Sequence, residues 1–191
     1  MLIYLIDVVF NRCSGLVDIS HLVLPATELS DSCYAQMLSS CTGLKGASHL
    51  KLPATTLGKA CYANMFDNYN CSSLQAAPVL PATSLAEYCY SGMFIDCVSL
   101  KVAPKLLATD LKNFCYKNMF FINHINKDKA SLNKVYCAAT TTDSNAFQDC
   151  LANAPSEGDI YLDESATIFQ TDSASGIQAG WTRHSLSDWK D

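Results

Sequence analysis

Positive charge is sparse in this sequence. Thirteen lysines and arginines stand against 18 aspartates and glutamates and are spread along 191 residues. No basic stripe of the kind that neutralises phosphates is present, so nucleic acid is not an expected partner. Long apolar runs are missing too. The opening MLIYLIDVVF is too short to span a bilayer, carries Asp7, and has neither a basic flank nor a small-residue cleavage site. No membrane insertion by this chain is expected from it. GxSxG elbows, Gly-rich phosphate loops and HExxH helices do not occur, and the eight glycines are scattered. With no polar constellation to run a reaction, a non-enzymatic role without a cofactor is expected. The ten cysteines also lack any CxxC pair: the nearest neighbours, Cys33 with Cys41 and Cys89 with Cys97, are eight apart. That spacing argues against a zinc site and against reading the cysteines as a disulfide framework.

What is present is self-similarity. LPATELSDSCYAQMLSSCTGL from Leu24, LPATTLGKACYANMFDNYNCSSL from Leu52 and LPATSLAEYCYSGMFIDCVSL from Leu80 align, and LLATDLKNFCYKNMF from Leu106 follows with Leu107 in place of proline. Cys33, Cys61, Cys89 and Cys115 are spaced by 28, 28 and 26 residues, and Met37, Met65, Met93 and Met119 keep the same steps. The period is therefore 26 with small insertions, one of them DNYN before Cys71 and another in GASHLKLP. Cys13 and Leu16 precede Cys41 and Leu44 by 28, so the chain is expected to enter the array partway, as a piece of something longer would.

Each repeat reads as two short elements. In SHLVLP and SHLKLP, Leu22, Leu24, Leu50 and Leu52 alternate with His21, Val23, His49 and Lys51, the period of a half-buried strand with its leucines inward. Proline then ends pairing, and Thr27, Thr55, Thr83 and Thr109 fall where a hydroxyl caps a following helix. Leu85, Cys89, Met93 and Cys97 lie four apart, with Tyr90 and Phe94 on the adjoining row, which predicts a short helix with a broad apolar stripe. A unit this small covers that stripe only by stacking on its neighbours.

The recurring pattern S-L-x-x-A-P-x-L-P-A-T-x-L-x-x-x-C-Y-x-x-M-F-x-x-C resembles the BspA-like leucine-rich repeats of bacterial surface proteins over roughly residues 9 to 137. SLNKVYCAA, GDIYL and GIQAGWT around Trp181 resemble the closing segment of such arrays, with Gln178 where proline is expected and Cys150 where an aromatic is usual. The resemblance implies an α/β leucine-rich-repeat solenoid, a short strand plus a short helix per 26 to 28 residue repeat, wound as a right-handed superhelix. Residues 1–139 would form the array and 140–191 a C-terminal cap. It also implies a cell-surface or secreted location, with a host or cell-surface protein or glycan as partner. Fold-level likeness alone does not name that partner.

A solenoid of this kind presents an extended concave strand face, where a ligand is expected. Its outward row is expected to be His21, Val23, His49, Lys51, Ala77, Val79, Ala103 and Lys105. An ordinary solvated sheet face is the competing expectation for any one of these residues. His21 and His49 are equivalent and should sit side by side, but two histidines make a poor metal site. The in-phase cysteines suit small buried hydrophobes, which leaves Cys137 and Cys150, outside the ladder, as the better candidates for reactivity. Tyr34, Tyr62, Tyr90 and Tyr116 are in phase with those cysteines and are expected to be packed or half-buried with their hydroxyls reaching the surface. FINHINKDKA interrupts the fourth repeat and reads as a projecting loop. Asp128, Asp143, Asp149, Glu157, Asp159, Asp163 and Glu164 bunch toward the end as a solvated surface rather than a calcium site. Two functions fit: a binding or adhesion module, or a spacer that displays another domain.

Overall fold

The spacing of four between apolar residues, which predicts a helix, is satisfied here in another way. Cys61, Ala63, Met65 and Asp67 each donate a backbone hydrogen bond three residues back, to Gly58, Ala60, Tyr62 and Asn64. The alternate amides of Ala60, Tyr62, Asn64, Phe66 and Asn68 donate instead to Glu87, Cys89, Ser91, Met93 and Ile95 of the next repeat. An α-helix keeps nearly all of its amides in bonds four residues back; here half of them stitch one repeat to the next. The backbone allows this because every fourth residue adopts positive φ: Ser32, Gln36 and Ser40, then Ala60 and Asn64, then Tyr88, Gly92 and Asp96.

The computed structural model describes residues 9–68, 73–140, 145–166 and 179–190. The opening run as far as Val8, with Asp7, lies outside the described residues, as do Cys71, Asp143 and Gln178. Among the described residues there is no α-helix, only the 3-10 turns Lys127–Lys129 and Leu186–Asp188. The expected α/β leucine-rich-repeat solenoid of strand plus helix is thereby overturned, and with it the right-handed superhelix and cap as formulated. The threonines cap no helix. Thr27, Thr55, Thr83 and Thr109 are exposed, and the Thr27 and Thr109 carbonyls accept backbone bonds from Thr55 and Thr140.

The strands are also fewer than the alternation suggests. Among the described residues three are formed: β1 Lys134–Cys137, β2 Glu157–Leu162 and β3 Gly180–Ser185, parallel and in the order β1-β2-β3. Earlier repeats contribute single parallel bridges, Val23 to Lys51, Gly46 to Ala76, Val102 to Lys134 and Leu106 to Cys137. A proline in each repeat removes a donor and limits pairing to such bridges. β1 escapes this because NKVYCAA carries no proline. Pairing between β1 and β2 carries the ladder across residue 139.

The core is built in rows. Cys33, Cys61, Cys89 and Cys115, and Met37, Met65, Met93 and Met119, are all buried. Tyr34, Tyr62, Tyr90, Tyr116 and Phe147 stack in sequence with centroid spacings of 5.3–6.0 Å, and Phe66, Phe94 and Phe120 form a second column. The tyrosines are more deeply placed than expected, each 1 % exposed. Such ring pairs each contribute about 0.5–1.5 kcal/mol beyond the area they bury. The insertion FINHINKDKA forms a turn and the first 3-10 segment, with His124 and Ile125 exposed.

Candidate binding face

Side chains of the sheet alternate in and out. Val135, Cys137, Ile160 and Leu162 point into the core, which leaves Lys134 and Tyr136 of β1, and Asp159 and Tyr161 of β2, on the outer side. Register places Tyr136 opposite Tyr161, and Tyr161 opposite His184. The row extends backward. Leu106 bridges Cys137, so Lys105 is the counterpart of Tyr136, and its ammonium lies 5.6 Å from that ring's centroid. Val79 and Lys51 hold the same place before Leu80 and Leu52, and Lys51 bridges Val23.

The row is capped by the chain's last turn. Trp189 meets Tyr136 and Tyr161 edge to face at 5.4 and 5.0 Å. The Lys134 ammonium sits 4.1 Å from a Trp189 ring centroid and donates a hydrogen bond to the Lys190 carbonyl at 3.0 Å, while the Lys105 ammonium lies 5.5 Å from a Trp189 ring centroid. His184 stacks on Tyr161 at 4.8 Å and its Nε2 is 2.7 Å from Asp159 Oδ1, a diagonal pair that clamps β2 to β3. All four aromatic side chains remain partly exposed. Chemically this is a set of ring faces and edges with two ammonium groups among them, suited to stacking, cation–π contact and hydrogen bonding.

The residues expected on the outward row divide. Val23 and Val79 are 71 % and 69 % exposed, and Lys51 and Val79 together line a cleft of about 260 Å³ with Leu50, Leu52, Pro53 and Pro81. Lys105 belongs to the aromatic cluster. His21 and His49 are exposed but lie away from it, within electrostatic reach of Asp18. The Asp18 carboxyl is held below its usual value first by hydrogen bonds from the Ser20 amide and hydroxyl, and then by attraction to these two histidines. Ala77 and Ala103 do not face out: Ala77 is partly buried and Ala103 buried. The reason is a deletion. Leu44 to Leu74 is 30 residues whereas Leu52 to Leu80 is 28, so Ser48 and His49 have no counterpart in the later repeats. Gly46 accordingly bridges Ala76, which aligns Ala77 with the buried Ala47.

Sequence reasoning missed Lys134, Tyr136, Tyr161, His184 and Trp189, although alternation in NKVYC and GDIYL marks the two tyrosines as outward. Cys137 and Cys150 are corrected as reactive candidates. Both are buried; desolvation pushes Cys137 up to about 12 and raises Cys150 well above the ordinary thiol value. Among the described residues no three His, Cys, Asp or Glu side chains gather to hold a metal ion, and no helix is long and apolar enough to cross a membrane. Comparison with protein-family models, curated proteins and solved structures gave no match in any of the three.

Proposed function

We propose that this chain is a non-enzymatic extracellular binding or adhesion module that engages a host or cell-surface protein or glycan through its outward row. The observation that carries this reading is the partly exposed cluster of Tyr136, Tyr161 and Trp189 with Lys105 and Lys134 among the rings. Tyr and Trp are among the residues enriched at binding hot spots, and ring faces also stack on apolar sugar faces. The repeat pattern's likeness to BspA-like surface proteins supports a cell-surface or secreted location.

The test is binding of the purified chain to immobilised matrix proteins and glycans, with Trp189→Ala and the double variant Lys51→Glu, Lys105→Glu alongside. Saturable binding lost on Trp189→Ala supports the module; binding that survives both variants removes the row from it. A spacer role is favoured by one observation, the unbroken column from Tyr34 to Phe147, which makes repeats a stiff, extensible stack. Silence across the panel favours that role.

A further inference from the structure

Asp67, Asn68 and Asp96 are 8 %, 4 % and 0 % exposed, and all three carry an oxygen without a hydrogen-bond partner: Asp67 Oδ1, Asn68 Oδ1 and Asp96 Oδ2. The three belong together. Asn68 and Asp96 stand three residues after Met65 and Met93 in consecutive repeats, and the Asn68 amide donates to the Ile95 carbonyl at 3.0 Å, which sets residues 67 and 68 beside 95 and 96. Asp96 is anchored: its Oδ1 accepts the Asn123 amide at 2.7 Å, leaving Oδ2 over. Asp67 precedes Asn68 in the chain and is buried at the same junction, close enough to Asp96 to feel its charge.

Ionised carboxylates accept hydrogen bonds and donate none. Two of them buried together call for positive charge, and neither has an ion-pair partner among the described residues. The donors are hard oxygens, two carboxylates and a carboxamide, without a thiolate or imidazole. That set suits calcium, which accepts carboxylate and Asn carbonyl oxygens in flexible geometry with waters completing the shell; magnesium demands stricter octahedral geometry and gives up its waters reluctantly. We propose that Asp67, Asn68 and Asp96 form a calcium site that ties two consecutive repeats together. This goes beyond the binding role above and is independent of the outward row.

The experiment uses the full chain at neutral pH, stripped with EDTA and titrated with CaCl2 in a calorimeter, with thermal unfolding followed in parallel and MgCl2 as a second arm. Binding is expected to saturate near one equivalent, and a hundredfold excess of calcium over its Kd should raise Tm by roughly 5–10 °C. The double variant Asp67→Asn, Asp96→Asn removes the buried charge and keeps the shapes. It should fold in EDTA with a near-UV spectrum like the parent's and show neither heat nor Tm shift with calcium. No heat and no shift for the parent at millimolar calcium overturns the site. An undiminished shift in the double variant places calcium elsewhere, and an equal response to magnesium overturns the choice of ion.

Discussion

Tyr62 and Tyr90 stack in parallel, their ring centroids 5.7 Å apart and their planes within 3° of each other. Tyr116 continues the column on the far side of Tyr90 at 6.0 Å, and the last place is held by Phe147, which has no hydroxyl. The Tyr90 hydroxyl is buried without a partner, so the ring stabilises the column while its polar tip opposes burial. Tyr90→Phe is expected to raise unfolding stability by about 1 kcal/mol. Tyr90→Ala, which opens a cavity in the column, should cost about 3–5 kcal/mol. Urea unfolding of the two variants checks both signs; a destabilised Phe variant would show that the hydroxyl is bonded after all.

Positive φ at four-residue intervals makes the turn segments sensitive to side chains of particular shape. At Gly92, φ is +63° and an added Cβ would collide with Asn64 Oδ1 of the preceding repeat. Gly92→Ala therefore combines left-handed strain of about 1–2 kcal/mol with displacement of Asn64, and a lowered Tm is expected. Ala60 occupies the same conformation at φ 54°, and Ala60→Gly should relieve strain there and raise stability by about 1 kcal/mol. Paired thermal melts decide it: an α-helix would reverse both signs, with Gly92→Ala stabilising and Ala60→Gly destabilising.

That contrast explains what the sequence could and could not convey. Cys61, Met65, Cys89 and Met93 recur four apart whether the backbone is a helix of 3.6 residues per turn or a run of four-residue turns, so periodicity alone chose the wrong element. It chose the right faces nonetheless, because both put these residues inward. Asn64, Gly92, Asp96 and Asn118 hint at the alternative, being residues that tolerate positive φ, but Tyr88 and Phe114 share it, their rings stacked on each other at 4.9 Å. The outward row was legible at Val23, Lys51, Val79 and Lys105, which keep a fixed distance from the LPAT leucine. It failed at Ala77 and Ala103, where two residues are deleted upstream of that leucine. The aromatic end was obscured because Trp189 reaches the sheet from beyond the repeat pattern.

Asp67 gives stability a pH dependence opposite to that of an ordinary paired carboxylate. Its folded pKa is raised from 3.8 to about 6, so between those values the folded chain holds a proton that the unfolded chain has released. The stabilisation is full below 3.8 and is lost as pH rises through about 6. The loss is on the order of 2–3 kcal/mol. Asp18 and Asp163, whose pKa values are lowered by bonds from Ser20 and Ser165, act the other way and only as pH falls below the ordinary carboxylate range. Urea midpoints measured in EDTA across this range should fall with rising pH for the parent and stay level for Asp67→Asn. A level parent curve would mean that Asp67 is not desolvated.

Thiol reactivity should follow burial and not position outside the cysteine ladder. Cys13 is exposed while Cys33, Cys61, Cys89, Cys115, Cys137 and Cys150 are buried, and Cys61 and Cys137 are both pushed up to about 12 by desolvation. Only the thiolate attacks an alkylating reagent, so a buried thiol with a raised pKa is protected twice, by access and by protonation. Treatment of the native chain with iodoacetamide at mildly alkaline pH, followed by peptide mapping, should find Cys13 modified before the other cysteines among the described residues. Cys61 and Cys137 should react only when urea unfolds the chain, and their modification should track the unfolding midpoint. Rapid alkylation of Cys137 in the native chain would mean that the β1 edge opens without global unfolding, and the parallel register from Leu106 to Leu162 would then need revision.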